Sequence, residues 1–309
     1  MNLPVEPDAR PAPPDFMSVR QVAEYLQLNE KKIYSLLKTG DLPGTKITGK
    51  WLFPRELVDR WVVDSAHGGL LNDRLLIGGG DDPLLERLVL EFSHHLGARA
   101  LTGHHPSGTR EGLELLQAGR IDASLLHWGP EHEAHTRHPA LLRQYPKHPQ
   151  WLLLRLFRRH SGIMYDPRRE GAAESLRELL SGSGPGRARW SLCREGSGNY
   201  RFFEEACGRE GHRPPEARIA LSARDAAAQI RMDLADCAPG PYSVAREFGL
   251  GFLPLGWEAV DLVVPRHVYF RHLLQQLIDR FTSQHGQETA QQLQGYDLSD
   301  CGRIVWGHD

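Results

Sequence analysis

Between Phe16 and Trp61 the chain reads FMSVRQVAEYLQLNEKKIYSLLKTGDLPGTKITGKWLFPRELVDRW, and spacing, turns and charge there all constrain one structure. Ser18, with Gln21 three residues on, has capping-box spacing, and Val19, Val22, Ala23 and Leu26 follow on one apolar helical face. A turn at Gln27 to Asn29 leads to a second helix, about Glu30 to Thr39, with Ile33, Leu36 and Leu37 inward and Gly40 placed as a left-handed stop. Two short helices joined by a tight turn form a helix-turn-helix. Lys46-Ile47 and Trp51-Leu52-Phe53, joined through Thr48-Gly49-Lys50, predict a hairpin wing. Pro54 then opens a closing helix whose Leu57, Val58 and Trp61 pack back onto the module.

Charge in this segment points to DNA. From Lys31 to Arg55 there are six cations against the single acid Asp41, and five of the six lysines of the chain lie between Lys31 and Lys50, although the formal net charge is −2. Lys31, Lys32, Tyr34, Ser35 and Lys38 fall mostly off the apolar face of the second helix, Lys46 and Lys50 lie on the wing, and Arg55 follows it. These eight residues are the expected DNA contacts: cations for phosphates and polar tips for base edges. The plain alternative is a solvated helix face. With SVRQVAEYL, KKIYSLLKTGDLPGTKI, GKWLF and PRELVDRWV in that order, the segment resembles the excisionase-type winged helix-turn-helix at the N-terminus of many bacterial regulators. The likeness covers about one sixth of the chain and implies double-stranded DNA as a partner, for a phage directionality factor as much as for an ordinary regulator.

Met1 to Asp15 holds five prolines and no apolar periodicity, so residues 1–15 are expected to be a disordered arm without a signal-peptide core. No apolar run approaches the ~20 residues that span a bilayer, which predicts a soluble, cytoplasmic protein with no membrane partner. The winged module is expected over 16–63, a Gly- and Ser-containing linker over 64–73, and a second domain over 74–309.

In that second domain short apolar runs alternate with helical periodicity. Leu75 to Ile77, Arg99 to Thr102 and Ile121 to Leu126 read as strands, separated by helices at Pro83 to Leu96 and Ser107 to Ala118. Trp151 to Phe157 and Gly162 to Tyr165 are nearly continuous apolar runs that would carry the chain to a second lobe. There Trp190 to Cys193, Arg218 to Leu221 and Leu234 to Cys237 alternate with helices near Asn199 to Cys207 and Arg224 to Met232. Leu253 to Leu255 and Val260 to Val264 would return, followed by an amphipathic helix from Val268 to Phe281. The grammar is α/β: a two-lobed domain with a cleft between the lobes, where small ligands bind.

GGGDDPLLERL, SGTREGLELLQAGRIDASLLHW, REGSGNYRFFEEAC, the stretch Asp225 to Tyr242 and FLPLGWEAVDLVVP together resemble the type II periplasmic-binding-protein-like domain used as a ligand sensor, related to molybdate- and tungstate-binding proteins. Independently of that likeness, Ser107-Gly108-Thr109 and Ser197-Gly198-Asn199 each join glycine backbone to hydroxyl or amide donors at a helix N-terminus, which favours an anion; taken singly, each also reads as an ordinary N-cap. Where related oxyanion sensors offer a serine and a histidine in the first loop, this chain has Gly80 and Asp81, and Asp82 precedes Pro83 as an N-cap would. In the second loop Asn199-Tyr200 stands where relatives often show Thr-Arg. A second carboxylate opposes a dianion, so either an oxyanion or a zwitterion with its amine on Asp81 is expected. Trp128 and Tyr242 are placed to close on an organic ligand, or simply to pack.

His94-His95, His104-His105, His127 and the run His132, His135, His138 lack metal-site spacing and read as solvated loop residues, with His104, His105 and His127 as second-rank cleft contacts. Cys193, Cys207, Cys237 and Cys301 read as reduced structural thiols. No nucleophile elbow, Walker loop, dinucleotide fingerprint or catalytic carboxylate pair occurs, so no catalytic residue, metal or cofactor is expected. The expected function is a dimeric, ligand-responsive transcriptional regulator. The alternatives are a binding or enzymatic domain of molybdenum-cofactor-related metabolism tethered to DNA, and an architectural recombination factor.

Overall fold

A computed structural model describes residues 15–39, 42–47, 49–66, 74–168, 175–181 and 188–307. The expected arm before Asp15, the stop at Gly40, Asp41, Thr48 of the wing turn and most of the linker lie outside them. The chain divides into two compact units, Met1–Asn72 and Asp73–Asp309.

In the first unit, β1 (Phe16–Met17), α1 (Val19–Tyr25), α2 (Glu30–Thr39), β2 (Thr45–Ile47), β3 (Lys50–Pro54) and α3 (Arg55–Ala66) follow in order. Ser18 caps α1 and Gln21 returns the bond to the Ser18 N–H, so the capping box is complete. β2 and β3 form the wing, with Lys46 opposite Trp51 and Gly49 in the left-handed region at φ 83°, and β1 adds a third strand on the far side of β3. Val22, Ile33, Phe53 and Val58 close a small core of their own.

The second unit begins with β4 (Arg74–Gly79), α4 (Pro83–Leu96), β5 (Leu101–Pro106), α5 (Thr109–Gln117), β6 (Ala123–Leu126) and α6 (Ala134–Leu142). The 15-residue β7 (Trp151–Tyr165) then leads to α7 (Leu176–Ser181), β8 (Trp190–Cys193), α8 (Gly198–Arg209), β9 (Ala217–Ala220), α9 (Ala223–Arg231), β10 (Cys237–Pro241) and α10 (Tyr242–Glu247). An equally long β11 (Gly251–Pro265) returns, followed by α11 (Arg266–Tyr269), α12 (His272–Thr282), α13 (Gln284–Leu293), β12 (Tyr296–Asp297) and β13 (Ile304–Trp306). The strands make one ten-stranded sheet in the order β5-β4-β6-β11-β7-β10-β8-β9, with β12 and β13 also on β7.

Pairing is parallel within each wing of the sheet and antiparallel around β7 and β11. The first half of β7 and the second half of β11 therefore belong to one lobe, and their other halves to the second. Apolar residues cover both faces of the first lobe: Leu88, Phe92, Leu154, Val260 and Phe281 on one, Leu113, Leu126, Trp151, Leu153 and Val263 on the other. In the second lobe Ala226, Ile230 and Val244 pack on one face, and Trp190, Phe203 and Cys237 on the other. Burial on both faces is why these strands are near-continuous apolar runs.

Several expectations change. The two runs at Trp151 and Gly162 are one strand, as are those at Leu253 and Val260, because each crosses between the lobes without leaving the sheet. The strand expected at Leu234 to Cys237 starts at Cys237 and runs to Pro241. The helix expected over Val268 to Phe281 breaks at Phe270 and Arg271, where the Arg271 guanidinium turns inward to Asp122 at 2.8 Å and to the Arg74 carbonyl at 2.8 Å. His138 is not in a solvated loop: α6 holds it fully buried, with Nδ1 2.7 Å from Asp261.

Where α5 crosses β4, Gly112 lies on Gly79, and a methyl group there would come within 2.4 Å of the Gly79 Cα and 2.6 Å of the Ser124 hydroxyl. Gly112→Ala is expected to destabilise the second unit by roughly 1–3 kcal/mol, read as a lower urea midpoint at unchanged slope.

Candidate functional site

Two irregularities bracket the place where the long strands pass between lobes. The register of β7 with β11 skips Leu255 between Pro254 and Gly256, and skips Leu156 between Phe157 and Arg155. In the segment between them Arg159 stands opposite Glu258. Both side chains are fully buried, and the Arg159 Nε donates to a Glu258 oxygen at 3.2 Å.

Around this pair residues from both lobes contribute polar groups. Arg159 Nη1 donates to the Asp81 carbonyl at 2.9 Å and to Asp82 at 3.1 Å; Nη2 donates to the Asn199 side-chain oxygen at 2.9 Å and lies 3.2 Å from the His127 ring. Glu258 also accepts from Ser161 Oγ at 2.6 Å and from His127 Nδ1 at 3.0 Å. Burial alone would raise the Glu258 carboxyl, but His127 and Arg159 outweigh it and hold it at about 2. Burial likewise opposes the charge on Arg159, and Glu258, Asp82 and Asp81 together raise it nonetheless. Asp82 goes the other way: its burial pushes it up more than Arg159 and the α4 amides pull it down. Its oxygens accept from the Leu84 N–H at 2.8 Å and from the Tyr296 hydroxyl at 3.2 Å, so the N-cap expected ahead of Pro83 is present.

Asp81 links the lobes directly. One carboxylate oxygen accepts from Asn199 Nδ2 at 3.1 Å, and the other from the N–H of Ala223, the first residue of α9, at 2.6 Å. An anion supplied by the first lobe thus sits on a helix N-terminus of the second. Further ties join the lobes: the Arg110 N–H donates to the Gly196 carbonyl at 3.1 Å, Glu86 pairs with Arg224, and Arg137 pairs with Glu205. A methyl on Gly198 would meet His127 Nδ1 and its carbonyl at 2.3 Å, and one on Gly80 would meet the same ring at 2.7 Å. Two glycines therefore let His127 lie between the lobes.

The structure brings Gly80, Asp81, Asp82, Thr109, Gly198 and Asn199 together around His127 and Arg159. Thr109, fully buried, donates to the His127 carbonyl at 3.2 Å. Ser107 and Gly108 point their N–H groups at the Gly79 carbonyl, 2.9 and 2.8 Å away, and Gly108 faces Ser197 across the lobe boundary. Ser197 accepts from the Tyr200 N–H at 3.2 Å as the cap of α8. Trp128 lies beneath the Arg110 guanidinium at 5.2 Å. Tyr242 sits apart, half-buried against Phe252 at 5.1 Å and His160 at 6.4 Å. Of the second-rank histidines, His127 is central, His104 holds the Gly80 carbonyl at 3.0 Å, and His105 is exposed. Arg159, Ser161, Glu258 and Tyr296 are not among the residues expected from sequence; the available signal is charge inside apolar runs, LLLRLFRRHSG and GWEAVDLVVP.

In the first unit Lys31, Lys32, Ser35, Lys38, Lys46 and Lys50 are exposed, and Tyr34 is 51% exposed. Arg55 is half-buried and lies 3.8 Å from Asp59, which also accepts from the Tyr25 hydroxyl. Lys31, Lys32 and Lys38 leave α2 away from the buried Ile33, and Lys46 and Lys50 flank the wing turn.

Glu258→Gln leaves Arg159 buried with less compensating charge and is expected to cost about 3–5 kcal/mol at neutral pH, read by urea unfolding. Because the folded carboxyl is held below its ordinary 4.5, this contribution is full above that value and fades as pH falls toward about 2, so the gap between variant and parent should narrow across that window.

Comparison with known proteins accords with this architecture. Residues 91–282 match the family described as PBP superfamily domain, and residues 16–62 match a helix-turn-helix domain. Curated proteins give no match. Among solved structures, a putative phosphate ABC transporter substrate-binding protein with bound phosphate from Clostridium perfringens aligns at a TM-score of 0.55 and 10% identity, over 73% of this chain and 99% of that one. A hydrogen-peroxide-bound mutant of OxyR from Corynebacterium glutamicum aligns at 0.53 and 13%, over 89% and 90%. The tungstate ABC transporter structure from Geobacter sulfurreducens aligns at 0.50 and 14%, over 71% and 98%. At these identities the likeness is one of fold. The chain belongs to the PBP superfamily, with a helix-turn-helix domain at its N-terminal end.

Proposed function

We propose that the chain is a cytoplasmic, ligand-responsive transcriptional regulator, whose winged helix-turn-helix binds an operator and whose two-lobed domain senses a small anion at the lobe boundary. The observation that carries the sensing half is the Asp81 carboxylate on the α9 N-terminus. It marks a position built for negative charge, shared by both lobes, and filled by the chain's own side chain. Asp81 is only half-buried, whereas Asp82, Arg159 and Glu258 are fully buried, so Asp81 is the member a ligand can displace. Both its oxygens already accept hydrogen bonds, which favours a competing oxyanion or carboxylate over an amine. The phosphate bound to the Clostridium protein and the tungstate of the Geobacter transporter are compatible with that class.

Binding is a better reading than catalysis here. Arg159, His127 and Glu258 saturate one another, and burial raises the Cys193 thiol and pushes the Cys207 and Cys301 thiols up to about 12, leaving them protonated. Regulation follows if the anion prefers one arrangement of the lobes and that arrangement changes operator affinity. Two copies of so small a DNA-binding module gain by binding a two-part operator together, so a homodimer is the working unit.

Asp81→Ala removes the internal competitor. Sulfate or molybdate should then bind at least about tenfold more tightly by calorimetry than to the parent, and unchanged affinity for both would sink the lobe-boundary assignment. On the DNA side, Lys32→Ala with Lys50→Ala should weaken binding to every sequence and flatten the salt dependence by about 0.9 for each phosphate no longer neutralised. Equal salt slopes for parent and variant would remove both lysines from the phosphate contacts.

A further inference from the structure

Away from the lobe boundary, a cavity of about 400 Å³ opens in the first lobe between α6, the strand pair β7 and β11, and the C-terminal segment that carries β13. Its volume is that of a small-ligand site. Pro139, Leu153, Ile304 and Val305 supply apolar lining. The lining also holds Arg155, whose side chain is nine-tenths buried.

The state of Arg155 is the decisive detail. Its Nε is held by Asp261, and the other Asp261 oxygen is taken by His138 Nδ1 at 2.7 Å, so the guanidinium is fixed in place. Among the described residues no hydrogen-bond acceptor meets either of its terminal nitrogens. The guanidinium lines the cavity with that edge free of protein partners, and its planar fork fits two carboxylate oxygens in parallel. Arg158 lines the same cavity but is spent: Glu131 lies at 2.8 Å and Asp297 at 3.1 Å, and Asp300 is also paired with it. Arg303, at the rim, is 72% exposed and 3.8 Å from Asp300.

The charges set the ligand class. The lining balances three arginines with three carboxylates, Glu131, Asp261 and Asp300, and Arg158 and Arg303 already lie on carboxylates, so the second charge of a dianion would have no cation of its own. One negative charge has a prepared partner in Arg155, and Pro139, Leu153, Ile304 and Val305 offer hydrocarbon to the rest of the molecule. We propose that this cavity is a second ligand site, for a small organic monocarboxylate whose carboxylate lies on the open fork of Arg155 and whose hydrocarbon body packs against Leu153, Pro139, Ile304 and Val305. The site does not depend on the anion position at Asp81.

The test is calorimetric titration of the full chain with phenylacetate, with phenylacetamide as the neutral isostere and inorganic phosphate as a head group without hydrocarbon. Phenylacetate should bind at least about tenfold more tightly than either control. Arg155→Lys, which keeps a cation beside Asp261 but removes the fork, should lose about tenfold in affinity. Val305→Trp fills the cavity from its half-exposed tail side and should abolish binding; because Val305 lies outside the deep core, it also covers the case in which Arg155→Lys does not fold. Excess sulfate, a candidate for the lobe boundary, should leave phenylacetate affinity unchanged. The proposal is overturned if the amide binds as well as the acid, if Val305→Trp retains parental affinity, if excess sulfate abolishes phenylacetate binding, or if phenylacetate gives no heat up to about 10 mM.

Discussion

A fully buried guanidinium holds the two-lobed domain together. The N–H groups of Arg159 meet partners on five residues: Glu258, the Asp81 carbonyl, Asp82, Asn199 and His127. They come from both lobes and from β11, the crossing strand that faces Arg159's own. A charge buried this deeply is tolerated only when its partners are complete, so the positions of Asp82, Glu258 and His127 are mutually dependent. The two register skips beside it re-aim the strands, which brings Arg159 and Glu258 face to face at the boundary instead of burying them in either apolar core.

The same completeness divides roles within the site. Asp82 serves α4 and Tyr296, Thr109 serves the His127 carbonyl, and Ser197 serves α8, so these groups shape the boundary. Asp81 differs: its backbone belongs to the network through Arg159, while its side chain reaches across to Asn199 and α9. Moving that side chain need not break the hydrogen bond its carbonyl makes. The boundary therefore combines a fully buried centre with one half-buried arm that spans the lobes, the division that the proposed sensing role uses.

Local features are legible in the sequence. The capping box of Ser18 and Gln21, the wing turn at Gly49 and the alternation of strand and helix after Leu75 all depend on neighbours within a few residues. Distance hides the rest. Arg159 and Glu258 are 99 residues apart, and Asp81 and Ala223 are 142 apart, so the residues near Asp81 show a carboxylate without the N-terminus that receives it. Charges within the runs around Leu154 and Val260 stand out, but only the crossing of lobes turns a mid-strand position into a boundary. His138 reads as a loop residue because Pro139 follows it; the proline sits inside α6, where its ring breaks periodicity without ending the helix. Arg271 has no local reason to leave its helix, since Asp122 is 149 residues earlier.

The first lobe is discontinuous along the chain: β4 to the first half of β7 form one part, and the second half of β11 through β13 completes it, while the second lobe is one uninterrupted stretch between them. Synthesis from the N-terminus meets these pieces in a fixed order. The winged module, with a core of its own, emerges first, and the second lobe has all its strands once the first half of β11 has been made. The first lobe must wait with one β7 edge uncovered until β13 has been made, so it keeps an unpaired strand edge longest during synthesis.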